Sequence, residues 1–238
     1  MKKPIAFLTL LLIAEVSLGQ SFDKDDSARI YRTINYYYNG IAQNAPIFNG
    51  STYVGYGQKI IGTPFFGSDV LKKGTIFYEG VLYQNIEMAY DVAGDCIVIK
   101  DHLNDNLLIQ LVNQKIGYFI INDHFFVNSD GTGNDQASNG FFDRIYDGKH
   151  IVWVKRRKQI EDKPLDEKEK STFVDYNTYY IKNENQFVAV NNLTSLLKVF
   201  GDKKKLVRKY LRDHQLKFKS DPEKTITEAA WYYDSLAN

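Results

Sequence analysis

The 238-residue chain contains one cysteine, Cys96, so no disulfide can form within it. Cys96 stands in the apolar run Asp95-Cys96-Ile97-Val98-Ile99, where it reads as a small core residue and not as a nucleophile. Histidine is scarce too. His102, His124, His150 and His214 are scattered, none has a His or Cys at ligand spacing, and His-Glu-x-x-His does not occur, which argues against the common zinc sites. Gly-x-Ser-x-Gly is missing, and Gly67-Ser68-Asp69 lacks the flanking strand and helix of a nucleophile elbow. Glycine patterns that cradle phosphate are missing as well. The adjacent carboxylates Asp25-Asp26 and Asp166-Glu167 fall in charged segments, where a raised pKa is not expected. Asn128, Asp130, Asn134 and Asp135 offer oxygen ligands but do not follow the order of an EF-hand loop. The expectation is a chain with no metal site, no cofactor and no enzymatic activity.

Long apolar runs are also few. Ile5 to Ala14 is apolar except for Thr9, a length of about ten residues that suits a signal-peptide core and is too short to span a bilayer. Lys2 and Lys3 precede it and Ser17-Leu18-Gly19 follows, so residues 1–19 are expected to be a cleavable signal peptide, cut before Gln20. No Cys lies near that cut, which closes the usual lipoprotein route. No later segment approaches eighteen consecutive apolar residues, so no transmembrane segment is expected. An exported chain without disulfides points to a bacterial envelope: periplasmic, associated with the outer membrane, or secreted.

The formal net charge is only +1, but it conceals a split. Gln20 to His150 carries ten Lys/Arg against fifteen Asp/Glu, and Ile151 to Asn238 carries eighteen against thirteen. Such a split can steer a partner or let the two halves attract each other. Two basic clusters stand out: Lys155-Arg156-Arg157-Lys158, and a helical segment with Lys203, Lys204, Lys205, Arg208, Lys209 and Arg212. Each reads as a solvated surface or as a patch for an anionic lipid or polysaccharide, and export argues against nucleic acid.

What the chain has in abundance is aromatic side chains, with seventeen Tyr and fifteen Phe. Tyr36-Tyr37-Tyr38, Tyr53, Tyr56, Phe65 and Phe66 all precede the main strand region. Tyr53, Tyr56, Phe65 and Phe66 are candidates to line a groove for a sugar or lipid at the mouth of a sheet, or else to plug one end of that sheet.

Spacing predicts an N-terminal helix over Asp26 to Tyr38, stopped by Asn39-Gly40. From Gly74 the pattern becomes strands joined by tight turns, at Glu79-Gly80, Ala93-Gly94-Asp95, Asn122-Asp123, Asp147-Gly148 and Asn183-Glu184-Asn185. Asp147-Gly148 is the strongest hairpin signal, because that pair tolerates a type I′ turn. Short connections make neighbouring strands antiparallel, a meander. Ile97-Val98-Ile99, Phe119-Ile120-Ile121 and Ile151-Val152-Trp153-Val154 are apolar on both faces, which predicts a curved sheet or partial barrel covered on both sides. Asn128 to Asn139 and Gln159 to Lys170 read as exposed loops. After Asn191 the period is helical: Leu193 to Phe200; a second helix capped by Asp202 with Leu206, Val207, Tyr210 and Leu211 inward; and a third that starts at Asp221-Pro222-Glu223 with Ile226, Ala229, Ala230 and Tyr233 inward. The fold class expected is α+β, with a β-rich domain over 20–190 and a helical tail over 191–238.

The runs Gly62-Thr63-Pro64-Phe65-Phe66, Gly74 to Asn85 and Ala89-Tyr90-Asp91 carry a likeness, as do Tyr179-Tyr180-Ile181-Lys182, Ser195-Leu196-Leu197-Lys198, Asp202 to Lys205 and Tyr232 to Leu236. With them the chain resembles a group of secreted β-rich proteins of Bacteroidota. The resemblance rests on turn and packing residues over most of the chain after residue 19. It implies a compartment and no catalytic residues.

These readings lead to an exported envelope protein that works as a non-enzymatic interaction module with a protein partner. The alternative is a carrier or sensor of an apolar small molecule in the curved sheet. A dispersed hydrolytic site would draw first on His102, Asp91 and Asp101.

Overall fold

Glu79-Gly80 and Asn122-Asp123 each place two successive residues at positive φ, 49° and 80° in the first, 50° and 63° in the second. Paired positive φ is the two-residue turn whose twist matches antiparallel strands. The first turn joins β2 (Lys72–Tyr78) to β3 (Val81–Asp91), the second β6 (Ile116–Ile121) to β7 (His124–Asp130). The structure is a computed structural model, and it describes residues 45–57, 60–130, 139–165, 168–183 and 186–236. The expected signal peptide and N-terminal helix, with Tyr36-Tyr37-Tyr38, lie outside the described residues.

The remaining strands are β1 (Ser51–Thr52), β4 (Cys96–Lys100), β5 (Leu108–Gln110), β8 (Asn139–Tyr146), β9 (Ile151–Lys155), β10 (Lys158–Leu165), β11 (Lys168–Asp175), β12 (Thr178–Asn183) and β13 (Gln186–Ala189). Eleven of them form one sheet in the order β1-β5-β4-β3-β2-β6-β7-β8-β9-β12-β13, with antiparallel pairing between neighbours. The chain thus meanders outward from β2 to β5, returns to the other edge of β2, and meanders again from β6. The sheet is open, and its α+β, β-rich character is as the pattern predicts.

Curvature follows from two distances. Four strand spacings, about 19 Å at ~4.8 Å each, would separate β3 from β8 in a flat sheet. Yet the rings of Tyr90 on β3 and Phe141 on β8 lie 5.7 Å apart, with Phe119 and Phe126 between them at 5.3 and 5.1 Å from Tyr90. The same four spacings lie between β5 and β6, and a linker containing the 3₁₀ turn Asn113–Lys115 joins them. The sheet therefore curls over its own aromatic side chains. Ile76, Tyr78, Tyr90, Phe119, Phe126 and Phe141 are buried inside the curve, each with zero exposure.

Strand alternation sends the neighbours of these residues to the other face. Ala89, Cys96 and Val98 point outward there and are covered by Tyr53, Phe65 and Leu71, so β4 is buried on both faces as its sequence implies. Trp153 is buried on its outer face against Phe142 and Phe187. In Phe119-Ile120-Ile121 the middle residue is 38% exposed, so β6 has one wet face after all.

Three helices, α1 (Leu193–Val199), α2 (Lys204–Asp213) and α3 (Pro222–Ser235), close the other end. They pack on the sheet: Leu196, Phe200, Val207, Leu211, Ile226 and Ala229 form one buried cluster with Val152 of β9 and Ile181 of β12. α1 begins with a capping box between Asn192 and Ser195, and Asp221 caps α3 by accepting from the Lys224 N–H. Asp202 does not cap α2. It falls within the 3₁₀ turn Gly201–Lys203, and Lys203 occupies the N-cap position without a side-chain hydrogen bond. Leu206 is 48% exposed, turned away from the core its spacing suggested.

The Asp147-Gly148 connection is not a two-residue turn, and neither residue has positive φ. The terminal helix reaches into it. Asp234 accepts from the Tyr146 hydroxyl at 3.0 Å, the His150 backbone N–H at 3.1 Å and His150 Nδ1 at 2.5 Å. A Cβ on residue 148 would sit 2.3 Å from Tyr146 Oη, so glycine is needed there for close approach. The charged stretch after Gln159 is not a loop: β10 and β11 form a separate hairpin, paired from Lys158↔Asp175 to Leu165↔Lys168. Ile61 anchors it, donating its N–H to Ser171 and accepting from the Phe173 N–H. The other expected loop, after Asn128, is in part strand: β7 continues to Asp130 and β8 begins at Asn139, with 131–138 outside the described residues.

Candidate functional site

The aromatic residues singled out from sequence divide between the two faces. Phe65 pairs with Asp91 at the end of β3, so Phe65 and Phe66 point to opposite sides. Phe65 joins Tyr53 on the outer face, at 6.1 Å between rings. There the hydroxyl of Tyr53 donates to Asp91 Oδ2 at 2.9 Å, and Tyr56 donates to the same carboxylate at 3.1 Å. The backbone N–H groups of Ala93 and Gly94 donate to Asp91 Oδ1 at 3.0 and 2.9 Å. Four donors fill a carboxylate that has about four acceptor positions. Burial, and then the Asp91 carboxylate, raise the Tyr53 and Tyr56 pKa values above the ordinary range. Asp91 is a saturated structural carboxylate, and Tyr53 and Phe65 cover the outer face of β3 and β4 beside it.

The residues proposed for a dispersed hydrolytic site are not together. Asp101 accepts from the N–H groups of Leu103 and Asn104 in an exposed turn, and His102 packs on Phe48 at 5.4 Å. Neither shares a contact with Asp91. Burial first, then Asp91 and Asp95, push the Cys96 thiol up to about 12, as suits an inert core residue.

The first basic cluster is largely internal. Lys155 and Arg156 are 3% and 6% exposed. Lys155 bonds Asp95 at 2.7 Å, and Lys158 donates to the carbonyls of Thr63 and Phe65. The acidic front of the chain is thus joined to its basic back by buried ion pairs. The second cluster is different. Lys204, Lys205, Arg208 and Lys209 of α2 are exposed, and among the described residues none pairs with a carboxylate. Arg212 reaches only its neighbour Asp213, at 3.4 Å. Lys203 stands apart, donating to the Leu236 carbonyl at the end of α3.

Phe66 lies on the inner side, its ring 4.9 Å from His124 and edge-on at 79°. This contact leads to a constellation that the sequence did not reveal. His124 Nδ1 bonds Asp143 Oδ2 at 2.8 Å, and Arg156 Nε bonds the same oxygen at 3.0 Å, joined by Arg156 Nη2. The guanidinium also holds Glu223 of α3 through Nη1 and, at 3.1 Å, through Nη2. Burial works against the charge of Arg156, but the bonds to Glu223 and Asp143 outweigh it and hold its pKa above the usual value. Asp143 has zero exposure, and its second oxygen, Oδ1, has no hydrogen-bond partner among the described residues.

These groups border a cleft of about 340 Å³ between the β7–β8 strands and α3. His124, Asp143, Arg144 and Ile145 form one wall; Glu223, Lys224, Thr227 and Glu228 form the other. The parts come from positions up to a hundred residues apart, each ordinary where it stands. The one signal available was Asp143 itself, a charge within the apolar run Phe141-Phe142-Asp143-Arg144-Ile145. Among the described residues no group of three or more His, Cys, Asp or Glu side chains could hold a metal ion, and no helix is long and apolar enough to cross a membrane. In comparison with known proteins, the chain matches no family model, no curated protein and no solved structure.

Proposed function

We propose that this is an exported bacterial envelope protein of the Bacteroidota type that acts without catalysis, by binding an acidic protein partner through the α2–α3 surface. One observation carries the reading. The outer face of α2 presents Lys205, Arg208, Lys209 and Arg212, beside Leu206 and Trp231 at 48% and 51% exposure. Positions three and four apart share a helix face, so these cations form one surface and not a scatter. Trp231 is half exposed beside Tyr210, at 6.3 Å, and tryptophan and tyrosine are enriched in binding hot spots. The expected signal peptide supplies the compartment.

The apolar-ligand alternative needs room inside the curve. The stacked rings of Phe119 and Phe126, 4.7 Å apart, together with Tyr90 and Phe141, fill that space, so the interaction reading is preferred. A photoreactive amino acid at position 206 tests it in the native envelope. We expect one discrete cross-linked polypeptide, lost when Arg208 and Lys209 are changed to Glu. A smear of products, or an adduct indifferent to those changes, would overturn the proposal.

A further inference from the structure

Among the described residues, β1, β10 and β13 each have one edge with no neighbouring strand, and the three edges are not alike. β1 is only two residues long, too short to template pairing. β10 carries Lys158, Glu161, Asp162, Lys163 and Pro164, the charges and proline that blunt an edge. β13 has no such guard: it is Gln186-Phe187-Val188-Ala189, without charge or proline. Among the described residues its backbone bonds only to β12. Val188 is 37% exposed and Ala189 is exposed beside it, so the edge stands open to solvent.

The direction of its free groups follows from the bond that succeeds the strand. The Val190 N–H donates to the Tyr179 carbonyl at 2.8 Å, in register with the pairing of Ala189 with Tyr180. In an antiparallel ladder, bonding to a given neighbour alternates along the strand. Gln186 and Val188 therefore direct their backbone groups to β12, and Phe187 and Ala189 direct theirs outward. The edge thus offers two N–H and two C=O groups. It is held firmly, because the Phe187 ring packs on Trp153 at 5.4 Å and lies under Lys182 at 5.4 Å.

A strand that engages all four groups must set outward-directed residues opposite both Phe187 and Ala189. A second β13, antiparallel and centred on Val188, does so: Phe187 of each copy meets Ala189 of the other, and Val188 meets itself. Within the four-residue strand this is the register that uses all four groups. Large meets small in the outer pairs, no like charges meet, and the valines take the close position between hydrogen-bonded pairs. We propose that β13 is a dimerisation edge, through which two copies of this chain join about a twofold axis at Val188 and continue the sheet. Such a twofold contact is closed and uses one patch on both copies. It is independent of the partner assigned to α2.

Sedimentation velocity of the full chain, followed over a wide range of concentration, should show a reversible monomer–dimer equilibrium. Ala189→Pro deletes one outward N–H from each copy and leaves the bonds to β12 in place, so it should weaken the dimer about tenfold or more. Val188→Cys gives a second reading that needs no proline. Residues directly opposite hold their Cβ atoms about 4.5–5.5 Å apart, close to disulfide reach. Mild oxidation should therefore link two Val188→Cys chains, whereas Leu206→Cys on α2 should link far more slowly; the native Cys96 is buried. A chain that stays monomeric at every concentration would overturn the proposal. So would a dimer indifferent to Ala189→Pro, or equal cross-linking from positions 188 and 206. Growth past the dimer into longer assemblies would overturn it too, since an open series requires two different edges.

Discussion

Asp91 and Asp143 are 2% and 0% exposed, and both sit on strands of the same sheet. At Asp91 the donors are neutral: two tyrosine hydroxyls and two backbone amides, spread over both oxygens. At Asp143 a guanidinium and an imidazole crowd one oxygen and leave the other bare. The first arrangement completes the β3–β4 turn and pins the aromatic cover of the outer face. The second fastens the terminal helix through Glu223, with the guanidinium shared between the two carboxylates. Equal burial thus covers two different ways of satisfying a carboxylate, one by neutral donors and one by charged ones.

The sharpest way to break this comparison is to remove the cation. Arg156→Met leaves Asp143 and Glu223 without their guanidinium, and breaking a buried ion pair from one side costs about 3–5 kcal/mol. Chemical denaturation should show a loss of that size. Adding Asp143→Leu should recover most of it, because an apolar replacement of the whole pair is often near neutral. If the double variant is no more stable than Arg156→Met, the loss reflects the guanidinium's packing over the Phe66 ring, and the ion-pair account fails.

A somewhat smaller effect is expected at Asp91. Asp91→Ala strands two hydroxyls and two N–H groups, but the tyrosines are partly exposed and can turn to water, so a loss of about 2–3 kcal/mol is expected. The effect should extend to the β3–β4 turn, where the amides of Ala93 and Gly94 lose their acceptor. Retention of wild-type hydrogen exchange in those two amides would contradict the role assigned to Asp91.

The same cluster predicts a dependence on alkaline pH. Burial and the neighbouring Asp91 raise the Tyr53 and Tyr56 pKa values in the folded chain above the ordinary 10.0. A raised folded pKa means that the stabilisation is complete below pH 10, where both states keep the proton. Above that, the unfolded chain releases protons that the folded chain holds, and stability falls with rising pH. Unfolding midpoints measured from pH 8 to 11 should fall more steeply above pH 10 in the wild type than in Tyr53→Phe/Tyr56→Phe. Equal slopes would show that these hydroxyls are not held by Asp91 in solution.

The fold was legible where local chemistry decides. Glu79-Gly80 and Asn122-Asp123 formed the turns their residues favour, and Asp221-Pro222 started α3 as capping rules require. It was illegible where a distant residue overrides a local preference. Asp147-Gly148 is suited to a type I′ turn, but Asp234, 86 positions later, draws Tyr146 and His150 around itself and reshapes the connection. The charged segment after Gln159 has the composition of a loop, and only its pairing with 168–175, anchored at Ile61, makes it a hairpin. The candidate cleft was hidden for the same reason. Arg156 reads as one of four consecutive surface cations until the fold buries it against Asp143 and Glu223. Of the four aromatics singled out together in the sequence, Tyr53, Tyr56 and Phe65 meet around the end of β3, whereas Phe66 is sent to the other face by the alternation of a strand-like segment.

Arginine gives the comparison its last and smallest test. Arg156 is buried and doubly paired, whereas Arg208 on α2 is exposed and has no carboxylate partner among the described residues. Reversing the charge of Arg208 removes no fold-building contact, and surface changes of this kind stay within about 0.5 kcal/mol. Arg208→Glu should therefore unfold at the wild-type denaturant concentration while losing the cross-link from position 206 to an acidic partner. A rim charge acts mainly on the rate of association, so the same variant should show a reduced on-rate and a weaker dependence on salt. If Arg208→Glu instead destabilises the chain by more than 1 kcal/mol, a hidden partner within the protein is using that charge, and α2 is a structural helix and not a docking face.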